Sequence, residues 1–365
     1  MSKKAKPNGR ETNTQVHLAD SGLNKRKLTR RQLWRIEKIQ QERQKRAQQR
    51  DQQTASRLHE NDLGSEQDGL IVTHFGTQVL VEAADGTSKR CHFRSNLGGL
   101  VTGDQVAWRD ANPYGVVVAV QPRRSALMRP DPYGDLKVVA ANIDRIAVII
   151  APHPEPHCNL IDRYLVAASA IDIEPVIVIN KVDTLQEQEQ QQRQTIDKID
   201  ALYRHLGYQV IRTSARTESG LKQLRDYLAH FTSVLVGQSG VGKSSLVNAL
   251  LPEANMRVGE LSDNHRGTHT TTSARLFHIP SGGQLIDSPG IREFGLWHMD
   301  ADTSLNGFRE FRPFIGHCKF RDCTHTQEPG CAILKALEEG DISPERLASY
   351  RRILAEFNPR GPLTR

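Results

Sequence analysis

A chain of 365 residues, 37% of them hydrophobic, is too long for one ordinary domain and can bury a substantial core, so two or three domains are expected. Lys and Arg number 49 against 42 Asp and Glu, a formal +7; residues 1–57 hold 16 of those cations and 5 of the acids, so a +11 segment is joined to a body of −4. No apolar run approaches the roughly 18 residues of a membrane span and none follows the charged amino terminus, which excludes a membrane protein and a secretory signal and makes the reducing cytoplasm the expected compartment.

Residues 1–62 read as a basic extension, disordered or helical. Trp34, Ile36 and Ile39, with one valine and a few scattered leucines, are its packing side chains, too few for a core. Thr29 and Gln32 have the spacing of a capping box, so a solvated helix could begin there. Either the segment is a plain solvated tail, or it is an arm that gains structure on phosphate-rich RNA.

Residues 63–124 show short apolar alternations: Leu70 and Val72, Val79 and Val81, Cys91 and Phe93, Val106 and Trp108, then Val116, Val118 and Val120. Asp85-Gly86, Gly98-Gly99, Gly103-Asp104 and Asn112-Pro113 mark turns between them. Five short strands in so few residues predict a small closed barrel of the oligonucleotide/oligosaccharide-binding (OB) type. With 5% aromatic residues in the chain, a base-stacking platform on the barrel is poorly supported.

Residues 125–294 read as an α/β domain. Strands expected at 143–151, 175–180, 208–212 and 232–236 are separated by helical stretches, as in a parallel sheet. After the last comes Gly237-Gln238-Ser239-Gly240-Val241-Gly242-Lys243-Ser244-Ser245, a phosphate loop in strand-loop-helix context. Its glycines let backbone amides converge on phosphate oxygens, Lys243 reaches the outer phosphates, and Ser244 can ligate magnesium. Asn180-Lys181-Val182-Asp183 ends an earlier strand; a carboxylate there accepts hydrogen bonds from N1 and the exocyclic amine of guanine. Thr213-Ser214-Ala215 resembles the base-contacting loop of GTPases. Asp287-Ser288-Pro289-Gly290 can bring Asp287 near magnesium and Gly290 toward the terminal phosphate, and one of Thr270, Thr271 and Thr272 completes the metal shell.

Together these elements predict a GTPase, but in permuted order. A Ras-like chain places the phosphate loop first, whereas here NKVD and TSA precede it. The glutamine that follows the DxxG glycine in Ras-like enzymes is replaced by Ile291, which cannot orient water, so turnover should be slow without a partner. His269, in the threonine-rich segment, is the candidate to orient or deprotonate water; the alternative is a solvated or RNA-contacting histidine.

Residues 295–365 contain Cys318, Cys323, His325 and Cys331. Three thiolates and one imidazole make a complete tetrahedral zinc set with no open position, which implies structure rather than chemistry. His317 is a rival ligand, and Cys91 and Cys158 are expected to be packed. Ser343-Pro344-Glu345 has the cap-then-proline signature of a helix start.

The barrel, the permuted motifs GQSGVGKSS, HTTT and DSPG, and the cysteine pattern resemble the bacterial RsgA (YjeQ) family from about residue 69 to the end. The resemblance implies a β-barrel (OB-fold), a circularly permuted α/β GTPase domain and a small helical zinc-binding domain. It also implies GTP hydrolysis stimulated by the small (30S) ribosomal subunit during late maturation, contact with 16S rRNA, Zn2+ and Mg2+ as cofactors, and a monomer by default. Rival readings are a GTPase acting on another RNA and an RNA-binding scaffold with nucleotide as conformational ligand.

Deleting residues 1–57 is expected to leave GTP binding intact and to weaken small-subunit binding across a salt series. Unchanged subunit affinity throughout the series would make the arm a bystander.

Overall fold

A computed structural model describes residues 63–94, 97–130, 135–186, 190–251, 274–287 and 300–357. The possible helix from Thr29 and the rest of the basic extension lie outside these residues. Among the described residues no helix is long and apolar enough to cross a membrane.

The amino-terminal part is a closed barrel of β1 (Glu66–His74), β2 (Gln78–Ala83), β3 (Ser88–Phe93), β4 (Gln105–Arg109) and β5 (Gly115–Val120). β1 pairs with both β2 and β4, and β3 runs parallel to β5, so the ladder closes as β1-β2-β3-β5-β4-β1. In β2, β3 and β4 the alternation seen in the sequence sends Val79, Val81, Cys91, Val106 and Trp108 inward, all at most 3% exposed. In β1 and β5 the inward side chains are Ile71 and Val117, one residue out of phase with the expected Leu70 and Val72 and with Val116 and Val118; in β1 the reason is that Val72 packs into the α/β core on the other face of the strand. Arg123 closes the loop before β4, donating to the fully buried Asp104 carboxylate at 2.6 and 2.8 Å.

A two-stranded hairpin, β6 (Ala126–Pro130) and β7 (Leu136–Ala141), comes next as a separate sheet. The sequence reading began the α/β domain at residue 125 but placed its first strand at 143–151, so this hairpin went unpredicted. That domain contains β8 (Arg145–Ile150), α1 (Cys158–Ala170), β9 (Glu174–Ile179), α2 (Gln190–His205), β10 (Gln209–Arg212), α3 (Leu221–Leu228), β11 (Thr232–Val236), α4 (Lys243–Leu250), β12 (Arg275–His278) and β13 (Gln284–Asp287). Its strands run β10-β9-β8-β11-β13-β12, the first five parallel and β12 antiparallel.

The continuous apolar runs have a simple cause, since both faces of the sheet are covered. Ile146, Val148 and Ile150 join α1 and α2 in one core, while Ala147, Ile149 and Ala151 join α3 and α4 in another. At the far edge β12 pairs with β1 of the barrel, Thr73 opposite Arg275, so the two sheets become one of eleven strands. The Thr102 hydroxyl donates to the Ala274 carbonyl at 2.9 Å, and His278 Nε2 lies 2.7 Å from Glu82.

The carboxyl-terminal part contributes α5 (Ala301–Asn306), a 3-10 turn at Arg309–Phe314, α6 (Ala332–Glu339) and α7 (Pro344–Phe357). The Ser343 hydroxyl accepts the Arg346 N–H at 3.3 Å, capping α7 where the sequence placed a helix start. Phe308, Phe311, Ile333, Leu347 and Tyr350 extend the α1/α2 core rather than forming a separate one. At its centre the Arg346 guanidinium, 2% exposed, pairs with Asp162 of α1 and with Glu310 at 2.6 Å, and lies 4.5 Å over the Phe308 ring. Tyr203 of α2 donates to the same Asp162 oxygen at 2.5 Å. Burial still pushes the Asp162 carboxyl above its ordinary range, against the opposing pull of Arg346.

Removing one member of a buried pair strands the others. Arg346→Met is therefore expected to lower the unfolding free energy by about 3–5 kcal/mol, read from urea melts.

Candidate nucleotide site and metal centre

The chain leaves β11 into a loop whose glycines at 237 and 242 have φ of 136° and 92°. A Cβ at 237 would stand 2.2 Å from the Ile149 carbonyl oxygen, and one at 242 would stand 2.4 Å from Asn180 Nδ2. No other residue type fits that backbone. Gly237 and Val241 are buried, whereas Ser239, Gly240, Ser244 and Ser245 face solvent at the mouth of the loop. The Lys243 ammonium donates back to the carbonyls of Gly237 at 2.7 Å and Gln238 at 2.5 Å. A loop of this shape at the start of a helix presents N–H groups and a positive end to an anion.

Asn180 immediately follows β9 and is 1% exposed. Its Nδ2 donates to the Val241 carbonyl at 2.9 Å, and its Oδ1 accepts the Ala215 N–H at 3.3 Å. One carboxamide thus ties the phosphate loop to both NKVD and the TSA segment. Lys181, at φ 60°, donates to the Gly240 carbonyl at 2.6 Å, and the Val182 N–H donates to the Thr213 carbonyl at 3.2 Å. Asp183 sits half-buried in the first turn of the 3-10 segment Val182–Gln186. Thr213 and Ser214 are fully buried; the Thr213 hydroxyl donates to the Ser219 carbonyl, and the Ser214 hydroxyl accepts the N–H groups of Arg216 and Thr217. β13 lies parallel to β11 with Ile286 opposite Val234, which brings Asp287 to the strand end where the phosphate loop begins. Ser288, Pro289, Gly290 and Ile291, and the segment with His269, Thr270, Thr271 and Thr272, lie outside the described residues.

Beyond these segments, Cys318, Cys323, His325 and Cys331 gather with their ligand atoms all within 4.8 Å of one another. Cys318 Sγ is 3.8 Å from Cys331 Sγ, and His325 Nδ1 is 3.6 and 3.3 Å from those two sulfurs. Tetrahedral bonds of about 2.3 Å to sulfur and about 2.0 Å to nitrogen require edges of about 3.8 and about 3.5 Å, so the edges among Cys318, His325 and Cys331 fit such an ion, with Cys323 Sγ within 4.8 Å of each. His317, the rival ligand, is exposed and outside this group. Burial, then the neighbouring sulfurs, pushes the Cys323 thiol up to about 12, a proton that a cation would displace on binding.

A family model described as RsgA GTPase matches residues 120–297. A protein of Pseudomonas aeruginosa named small ribosomal subunit biogenesis GTPase RsgA is 58% identical over 335 residues, 91% of this chain and 98% of that protein. Its namesake in Hahella chejuensis is 55% identical over 90% of this chain and 95% of its own length. The chain belongs to the RsgA GTPase family. The crystal structure of YjeQ from Thermotoga maritima superposes with a TM-score of 0.67 at 30% identity, covering 81% of this chain and all of that one. That of YloQ, described as a circularly permuted GTPase, gives 0.65 at 27% identity over 84% and 100%.

As an RsgA-family GTPase the chain carries the permuted order in its sheet, since β8, β9 and β10 precede β11 in sequence yet lie beside it in one parallel array. Sequence reasoning missed the segment after β8. The carbonyls of His153, Pro154 and Glu155 accept hydrogen bonds from Lys181 and Gln238 at 3.0–3.3 Å. The alternating prolines at 152, 154 and 156 were the available signal, because proline supplies a carbonyl and no N–H.

Two substitutions test these sites. Gly242→Ala should lower GDP affinity by about 10- to 100-fold through strain in the loop, read with a fluorescent GDP analogue while the far-UV spectrum is unchanged. Cys323→Ser should remove a metal content near one zinc per chain, measured by atomic emission.

Proposed function

We propose that this RsgA-family GTPase binds the small (30S) ribosomal subunit late in its maturation, contacts 16S rRNA, and turns GTP over when the subunit engages it. The observation that carries the nucleotide half of this reading is the Asn180 carboxamide, bonded at once to the phosphate loop and to the base loop. The names of the relatives, small ribosomal subunit biogenesis GTPases, support the partner half.

In this reading Asp183 accepts hydrogen bonds from the guanine edge, beside Asn180, Lys181, Thr213, Ser214 and Ala215. The amides of residues 237–242 and the positive end of α4 take the phosphates, and Lys243 reaches their outer oxygens. Ser244, Asp287 and one of Thr270, Thr271 and Thr272 would hold Mg2+, which when bound neutralises charge developing on the β- and γ-phosphate oxygens. Gly290 turns toward the terminal phosphate. Because Ile291 offers no hydrogen bond, His269 orients or deprotonates the attacking water. Cys318, Cys323, His325 and Cys331 hold one structural Zn2+ with no position left for water. The division into an extension (1–62), barrel (63–124), permuted GTPase domain (125–294) and zinc domain (295–365) belongs to the same proposal, as do a monomeric state and work in the cytoplasm.

The test is steady-state GTP turnover alone, with purified small subunits, and with tRNA. Slow turnover that rises only with small subunits is expected. An equal rise with tRNA would redirect the partner, and no single-turnover hydrolysis with subunits would leave a nucleotide-fixed scaffold. His269→Ala should lower stimulated turnover by about 10²- to 10⁴-fold with GDP affinity unchanged.

A further inference from the structure

Four ligands bind an ion tightly when the backbone brings them together before it arrives. The stretch from Cys323 to Cys331 contains no helix or strand, so something other than regular structure must order it. One carboxylate gathers it. Glu328 Oε1 accepts the Thr324 N–H at 2.8 Å and also the Thr324 hydroxyl. Its Oε2 accepts the N–H groups of Thr326 at 2.8 Å and Gln327 at 3.1 Å. These donors bracket His325 on both sides and fix the residue after Cys323. His325 is held at φ 58°, uncommon outside glycine, with Nδ1 beside the Cys318 and Cys331 sulfurs.

The main chain of Glu328 does a second job. Its carbonyl accepts the Cys331 N–H at 3.2 Å, closing a four-residue turn through Pro329 and Gly330. Gly330 has φ 77°, and proline second with glycine third is the arrangement a type II turn needs. That turn sets Cys331 at the start of α6, and the Gly330 carbonyl accepts the Lys319 N–H at 3.0 Å, next to Cys318. Ala332 N–H then donates to Cys318 Sγ at 3.3 Å. From α7, Arg351 donates to the carbonyls of His325 at 2.8 Å and Thr326 at 3.1 Å, docking the ordered loop onto the helical body.

We infer that Glu328 is the positioning residue of the metal centre: its carboxylate shapes the Cys323–His325 segment and its carbonyl the turn that presents Cys331. The inference rests on the proposed zinc site and goes beyond its four ligands. Of the two roles, substitution removes only the carboxylate, so Glu328→Ala isolates it.

The test is zinc affinity of the full chain, by competition with a chromophoric chelator, together with the absorption bands of the Co2+-loaded protein. Glu328→Ala should bind zinc about 10- to 100-fold more weakly and shift the Co2+ bands, with GDP affinity unchanged. Glu328→Gln, which offers one oxygen and places an NH2 group against the remaining amides, should lie between Ala and the parent. Glu339→Gln, whose carboxylate pairs with Lys335 on α6 of the same region, should match the parent. Parental zinc affinity and Co2+ bands in Glu328→Ala would overturn the inference while leaving the zinc site standing. If Glu328→Ala does not fold, parental values in Glu328→Gln would overturn it equally. A parent chain that binds no zinc would overturn the site and the inference together.

Discussion

The nucleotide site depends on the buried carboxamide of Asn180. It stands at the end of a central strand, where water cannot compete, and it uses its donor on Val241 and its acceptor on Ala215. A buried amide left without partners is costly, so the three loops must meet for the strand end to be satisfied. That requirement is indifferent to chain order. Val241 lies 61 residues after Asn180, yet the contact needs only that β8 lie between β9 and β11. A parallel sheet permits this permutation because its ladder is read between neighbours in space, not neighbours in sequence.

Permutation has a second consequence, at the edge of the sheet. β12 follows the threonine-rich segment and pairs with the barrel through β1, while β13 ends at Asp287. The strand that follows the threonine-rich segment is therefore also the strand on which the barrel is mounted. Edge strands expose unpaired amides and carbonyls. Here the barrel covers one, and the Thr102–Ala274 hydrogen bond closes the junction.

The helical part is joined to the α/β body by different physics. Arg346, Asp162 and Glu310 are withdrawn from water, and their mutual attraction is offset by that desolvation, so the cluster adds less net stability than its short contacts suggest. Its geometry, however, is demanding: a planar guanidinium must meet two carboxylates while lying over Phe308. Apolar packing of Phe311, Leu347 and Tyr350 supplies the adhesion, and the charges fix how the surfaces meet. The Cys3His cluster sits on the same body, held to α7 by Arg351.

What was legible in the sequence was legible for local reasons. Alternation along β2, β3 and β4, the unbroken apolar runs of β8 and β9, the glycines of residues 237–242 and the Ser343-Pro344 cap each follow from stereochemistry within a few residues. The phase of β1 was not legible, since both of its faces are covered. The clustering of Cys318, Cys323, His325 and Cys331 was also readable, because their residue types and closeness in the chain restrict what they can do. The exclusion of His317 was not, since side-chain direction in an irregular loop depends on how the loop is folded. The hairpin β6–β7, whose strands carry Arg129, Pro130 and Lys137 among their apolar residues, left only a weak periodic signal. Composition and local pattern by themselves determined the barrel, the α/β class, the permuted order of motifs and the Cys3His cluster. Tertiary structure alone decided that Asn180 would bridge two loops, that the carbonyls of residues 153–155 would hold Lys181 and Gln238, that β12 would join β1, and that Arg346 would find Asp162 184 residues away. Those partners are chosen by sheet order and by the desolvation of buried polar groups, neither of which leaves a period in the chain.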